Sequence, residues 1–198
     1  MNKWIYYIFE NWNERKQFGI GGVATILGST LAYMVNMRYV GLLNINILSP
    51  RLPFYTPLLD NITNVLLLSI ALFLAGLFLN AKTRFLDILN VAMLSRAVLY
   101  LGCLLNINGF FVSYSEKVLE QVQQGALEID NQSMIPMLIL ALISLVFLIV
   151  SLWMLFAGFK TATNGKGTKL VVVFIAVLVV ISFVPQLFAR YIYYPFNY

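Results

Sequence analysis

Histidine is absent from this chain and Cys103 is its one cysteine, so the usual nucleophilic and metal-binding sets cannot be assembled. A serine or cysteine nucleophile needs a base beside it, and zinc sites draw mainly on thiolate and imidazole ligands. Cys103 alone cannot close an intramolecular disulfide. Ser29, Thr30, Ser69, Ser144, Ser151 and Ser182 do lie in long apolar runs. With no base to activate them, they read as hydrogen bonders between packed helices. Facing aspartates would be another acid–base device, but no apolar run carries an aspartate well inside it. Gly158 to Lys169 superficially resembles a phosphate loop. Six residues separate Gly158 from Gly165, and Gly167 follows Lys166 where Ser or Thr is required. The expectation is no catalytic site, no cofactor and no bound metal.

The elements that carry these residues are dictated by composition. Apolar residues make up 61% of the 198 and charged residues 11%, with mean hydropathy +0.84. A soluble domain is about 45–50% apolar and about 25% charged. The apolar residues are clustered in uncharged runs near the roughly 20 residues that span a bilayer as helix. The fold class is therefore all-α, a polytopic membrane helical bundle of about five transmembrane helices plus short interfacial helices. Residues 1–17 form a cytosolic interfacial helix with Trp4 and Trp12 in the headgroup layer. Residues 18–198 form one transmembrane domain with spans near 18–36, 62–79, 97–115, 134–159 and 170–189.

Within the first span Gly21, Thr25, Gly28 and Ala32 share one face, and Ala71 and Ala75 do so in the second. Small residues let a neighbouring backbone approach closely, so these faces are expected to meet another helix. Pro50, Pro53 and Pro57 break the stretch from Met37 to Asn61, which is expected to fold back on the membrane surface. Asp87 or Arg96 in hydrocarbon would cost about 2.5–3.5 kcal/mol each near the bilayer centre. The cheaper arrangement makes Arg84 to Arg96 a cytosolic surface helix and starts the third span at Ala97, with Arg96 snorkelling to the headgroups. Between Ser115 and Ser133, Val118, Leu119 and Val122 suggest a short amphipathic helix. Asn61-Ile62-Thr63 and Asn131-Gln132-Ser133 are formal glycosylation sequons.

The net charge of +5 does not point to nucleic acid, because no basic run of five or more exists. The cations sit between the apolar runs instead. With the N-terminus inside, Lys and Arg number nine on the cytosolic side and four on the other. That bias sets an N-in, C-out orientation.

Two stretches carry a family resemblance. "KTRFLDILNVAMLSRAVLYLGCLL" resembles the surface helix and third span of the Yip family, named in eukaryotes for interaction with Ypt/Rab GTPases. In "SLWMLFAGFKTATNGKGTKLVVVFIAVLVVI", Trp153, then Gly158-Phe159-Lys160, a basic turn and a Val/Ile-rich last span are similar to that family's closing hairpin. The resemblance covers roughly Phe18 to Leu187. Ala97 stands where the family often has proline, and no D-L-x-G-P-like stretch precedes the first span. The compact form is similar to bacterial members, some of which resemble accessory subunits of ABC exporters of the macrolide-export type.

What the resemblance implies is a non-enzymatic scaffold or accessory subunit in the bacterial cytoplasmic membrane. Its partners would be the lipid bilayer and another membrane protein, or a second copy of itself. The candidate partner contacts are Arg84, Asp87, Arg96, Trp153, Gly158 and Lys160. Trp153 is more simply explained as a packing or interfacial tryptophan, Gly158 as a helix end, and Lys160, Lys166 and Lys169 as topology determinants. A small-solute transporter or channel, acting as a homo-oligomer, is the alternative, motivated by hydroxyls inside the spans.

Overall fold

In the computed structural model of the protein, the described residues are 3–41, 44–47, 53–106, 109–123 and 131–192. Helices dominate because apolar segments in lipid must satisfy every backbone group internally. The elements are α1 (Lys3–Asn11), α2 (Glu14–Met34), β1 (Met37–Val40), β2 (Asn44–Ile47), α3 (Tyr55–Leu79) and α4 (Phe85–Tyr100). A 3-10 turn (Leu101–Asn106) continues α4, followed by α5 (Phe110–Gln123), α6 (Asn131–Thr163) and α7 (Gly167–Ile192).

Among the described residues, three helical stretches are long and apolar enough to cross a membrane: Tyr55–Leu79, Phe85–Asn106 and Ile135–Thr163. The apolar part of α7, Gly167–Phe183, is shorter. In α2, 21 residues long, glycine, serine and threonine lower the hydropathy, since its buried face meets protein. The central element is α4. In its span 56% of the window is buried, against 6% in α6, which turns Leu138, Leu142, Val146 and Ile149 outward.

The third span differs from the sequence expectation. No break occurs at Arg96, and α4 runs from Phe85 through it to Tyr100. Arg96 does not snorkel: it is 1% exposed and donates from Nη1 to the Gly41 carbonyl at 3.4 Å. The insertion cost assumed a side chain facing lipid, whereas this one faces the bundle interior. The chain turns instead at Gly109, where φ is +66°. Consequently α5 begins at Phe110, ahead of the amphipathic stretch expected from Ser115.

The second difference is the connector after α2. Rather than lying on a surface, Met37–Val40 pairs antiparallel with Asn44–Ile47, Arg38 opposite Asn46 and Tyr39 opposite Ile45. All four residues of β1 are buried. Alternate strand residues face opposite ways, so both faces of β1 are covered; α3 and α2 pack against it. Asn64 on α3 fixes the strand, accepting from the Gly41 amide at 3.0 Å and donating to the Tyr39 carbonyl at 2.6 Å. Asn64→Leu removes partners from two buried backbone groups, each worth about 1–3 kcal/mol. Faster amide hydrogen exchange at Gly41 is the expected readout. Pro57 does not exclude helix, as α3 starts at Tyr55 with Pro57 in its first turn. Helical N–H groups there have no intrahelical acceptor, so proline forfeits nothing.

At the opposite end α1 does not stand apart from the bundle. Phe9 enters the main core with Ile5 and Ile8 packed beside it, and α1 packs on α6. Helix α2 already starts at Glu14, capped by Asn13 Oδ1 accepting from the Lys16 amide at 2.7 Å. Gln17 Nε2 closes the corner by donating to the Trp12 carbonyl at 2.9 Å. Helix α7 continues through Pro185 to Ile192. The tail from Arg190 to Tyr198, whose five aromatic residues suit an anchor at the membrane interface, lies largely outside the described residues.

The expected packing face of α2 lies on α4. A Cβ on Gly21 would come within 2.7 Å of Met93 Cβ, and one on Gly28 within 2.3 Å of the Tyr100 ring. Thr25 and Ala32 are buried on the same face. On α3 the buried line runs instead through Leu68, Leu72 and Gly76. Ala71 and Ala75 are half-buried against the edge of the core.

Candidate functional site

The helix ends nearest α1 gather most of the candidate partner contacts. Arg84 precedes α4, and its guanidinium grips the Glu14 carboxylate at the start of α2 through Nη1 to Oε1 and through Nη2 to Oε2 at 3.1 Å. Both side chains are solvated, at 61% and 44% exposure. Pairs of that kind add little to stability, so their interest lies in recognition. The hydrogen bond and charge of Glu14 raise the Arg84 pKa further. One turn into α4, Asp87 is half-buried beside them.

These groups line a cleft of about 250 Å³ with Trp12, Gly158 and Thr161. Gly158 does not end a helix, since α6 continues to Thr163. It sits where α6 crosses α4, and a Cβ there would lie 2.6 Å from both Val91 methyls and 3.0 Å from Phe9 Cε1. Its lack of a side chain therefore brings three helices together beneath the charged rim.

Lys160 opens on a neighbouring cleft of about 370 Å³ lined also by Tyr6, Glu10, Asn164 and Lys166. Its ammonium lies 5.4 Å from the Tyr6 ring centroid. The turn here consists of Asn164 (φ 50°) and Gly167 (φ 72°) with the two residues between them, too short to wrap a phosphate. Two candidates lie elsewhere. Trp153 is half-buried on α6 and lines neither cleft, and Arg96 belongs to the interior near β1.

That interior is a polar cluster the hydropathy pattern concealed. Arg38 of β1 holds Asp60 of α3 with both oxygens, Nε to Oδ2 at 2.6 Å and Nη2 to Oδ1 at 2.8 Å. Asn61 donates to Ser29 Oγ at 2.9 Å, and Ser29 donates to the Thr25 carbonyl at 2.7 Å. Asn61 is fully buried, so its sequon offers no acceptor surface. Tyr39 donates to the Leu99 carbonyl at 2.8 Å and lies 3.1 Å from Cys103 Sγ. The signal was present: Asp60, Asn61 and Asn64 stand at one-turn spacing beside an apolar run. Ionisable groups inside such runs mark interior sites.

Among the described residues no group of three or more Cys, Asp or Glu is placed to hold a metal. A family model described as the Yip1 domain matches residues 11–188. No curated protein and no solved structure matches.

Proposed function

We propose a function from a settled premise: the chain belongs to the Yip1 domain family, whose model spans nearly all of it. It is an integral membrane protein. Our reading is that it works without catalysis, as a scaffold or accessory subunit that binds another membrane protein. The host membrane is the bacterial cytoplasmic membrane, with the N-terminus in the cytoplasm and the C-terminus outside.

What supports the reading is the charged cleft of Glu14, Arg84 and Asp87 at one end of the bundle. A partner arriving in the bilayer meets exposed apolar side chains such as Leu138, Leu142 and Val146 of α6, which give packing but little selectivity. Charges at the rim add the selectivity, because juxtaposed like charges reject wrong partners. The same end supports the proposed orientation. Lys82, Arg84, Lys160, Lys166 and Lys169 flank the ends of α3, α4, α6 and α7 there, as cytosolic cations do.

The test is capture. A photoreactive residue replacing Asp87 crosslinks a second membrane protein in cells, while one replacing Leu142 on the outward face of α6 labels lipid. Arg84→Glu sets two like charges side by side and reduces the protein crosslink about tenfold, a coupling typical of charge pairs at interfaces. A monomer with no crosslinked protein under every mild detergent condition would overturn the reading. Solute flux through liposomes holding the pure protein would replace it with a transporter.

A further inference from the structure

The guanidinium of Arg96 is the least compensated group in the interior. Its Nη1 reaches the Gly41 carbonyl, but Nε and Nη2 meet no hydrogen-bond partner among the described residues. Guanidinium does not give up its proton in proteins, so burial cannot neutralise it. Arg38 shows what this edge accepts. There the same two nitrogens, Nε and Nη2, form the fork on the Asp60 carboxylate. Both oxygens of Asp60 are engaged by Arg38, and neither is bonded to Arg96.

Two more orphaned atoms lie on the elements around Arg96. Tyr100, one turn further along the same face of α4, has a buried hydroxyl without a partner, and Asn61 Oδ1 has none either. Helix α2 brings these to one level: Gly28 lies on the Tyr100 ring, and the adjacent Ser29 holds Asn61. The described ionisable side chains of this interior are Arg38, Asp60, Arg96, Tyr39, Tyr100 and Cys103. Water could satisfy the donors of Arg96 but would not balance its charge, and the Asp60 carboxylate is already held by Arg38.

We propose that Arg96 forms a buried oxyanion site where α4 faces β1, accepting one carboxylate or phosphate group on its Nε–Nη2 edge. The planar, bidentate geometry of guanidinium suits both. Tyr100, one turn along α4, offers its unpartnered hydroxyl to a remaining oxygen. The chemistry is that of a free organic acid or phosphate, and equally that of an anionic lipid headgroup.

The experiment uses the full chain. In neutral detergent, sodium phosphate and sodium acetate are titrated against sodium chloride of equal ionic strength while thermal unfolding is followed. In parallel, nanodiscs of phosphatidylglycerol are compared with nanodiscs of phosphatidylcholine. A saturable rise in Tm with phosphate or acetate identifies a free anion, and a rise only with phosphatidylglycerol identifies a headgroup. Arg96→Gln weakens the effect at least tenfold, while Lys117→Gln on exposed α5 leaves it intact. If Arg96→Gln fails to fold, the Arg96 Nε–H resonance of the wild-type protein still reports, shifting as the ligand is added. Either of two results overturns the proposal: no probe exceeding its chloride or phosphatidylcholine control with the resonance unmoved, or an Arg96→Gln protein responding like wild type.

Discussion

Replacing Asp60 by alanine lowers the stability of the bundle by about 3–5 kcal/mol, the range for stripping one partner from a buried ion pair. Arg38 and Asp60 are 4% and 5% exposed and bonded through two hydrogen bonds. The Asp60→Ala protein retains a buried guanidinium stripped of the carboxylate that both its Nε and Nη2 hold. The loss is local in origin but reaches β1, which Arg38 anchors to α3. The double replacement Arg38→Met with Asp60→Leu recovers most of the loss, because a well-packed apolar pair avoids the desolvation of both charges. Reversible unfolding in detergent micelles measures both. Equal instability of the single and double variants would mean that the pair acts through something other than its charge.

That pair also marks where sequence reasoning stops. Hydropathy treats each side chain as though its neighbour were lipid, so it sends Arg96 to a headgroup layer and Asp60, within Met37 to Asn61, to the membrane surface. The interior of a bundle is a third environment, and only the partners reveal it. Arg38 lies 22 residues before Asp60, and Gly41 lies 55 before Arg96. No local pattern connects them. The hairpin was hidden for a related reason. Its strands are four residues each, too short for a period of two to stand out, and the prolines that follow suggested an irregular loop.

What was legible depended on spacing within a single helix. The run Gly21, Thr25, Gly28, Ala32 recurs at helical intervals, and this is the face α2 lays on α4. The membrane class followed from the clustering of apolar residues, which needs no knowledge of contacts. The charged cleft was half visible. Arg84 and Asp87 stand out as ions beside an apolar run, but Glu14 joins them only because α2 and α4 begin side by side, 70 residues apart in sequence. Gly158 looked like a terminus because a glycine before a basic turn usually is one. Its reason here is the approach of Val91.

The approach of Val91 predicts a coupling between two residues. Gly158→Ala places a methyl 2.6 Å from both Cγ atoms of Val91, far inside contact distance, and forces α6 away from α4. Overpacking of this kind costs about 1–3 kcal/mol. Val91→Ala removes both methyls, so in that background Gly158→Ala costs much less, the Phe9 ring at 3.0 Å being the tight contact that stays, and the two substitutions show a coupling of about 1–3 kcal/mol. Gly28→Ala behaves differently. Its new methyl meets not only the Tyr100 ring but Tyr100 Cβ at 2.7 Å, an atom that every residue except glycine retains. Tyr100→Ala therefore fails to rescue it, and the helices themselves must separate. Unfolding midpoints of the single and double variants distinguish the cases, since a clash with side-chain tips is relieved by shortening the neighbour and a clash at Cβ is not. Rescue at the first crossing without rescue at the second requires that α6 meets α4 through a removable valine and that α2 meets it nearly backbone to backbone. Additive effects at Gly158 and Val91 would mean the crossing of α6 lies elsewhere, and with it the floor of the charged cleft.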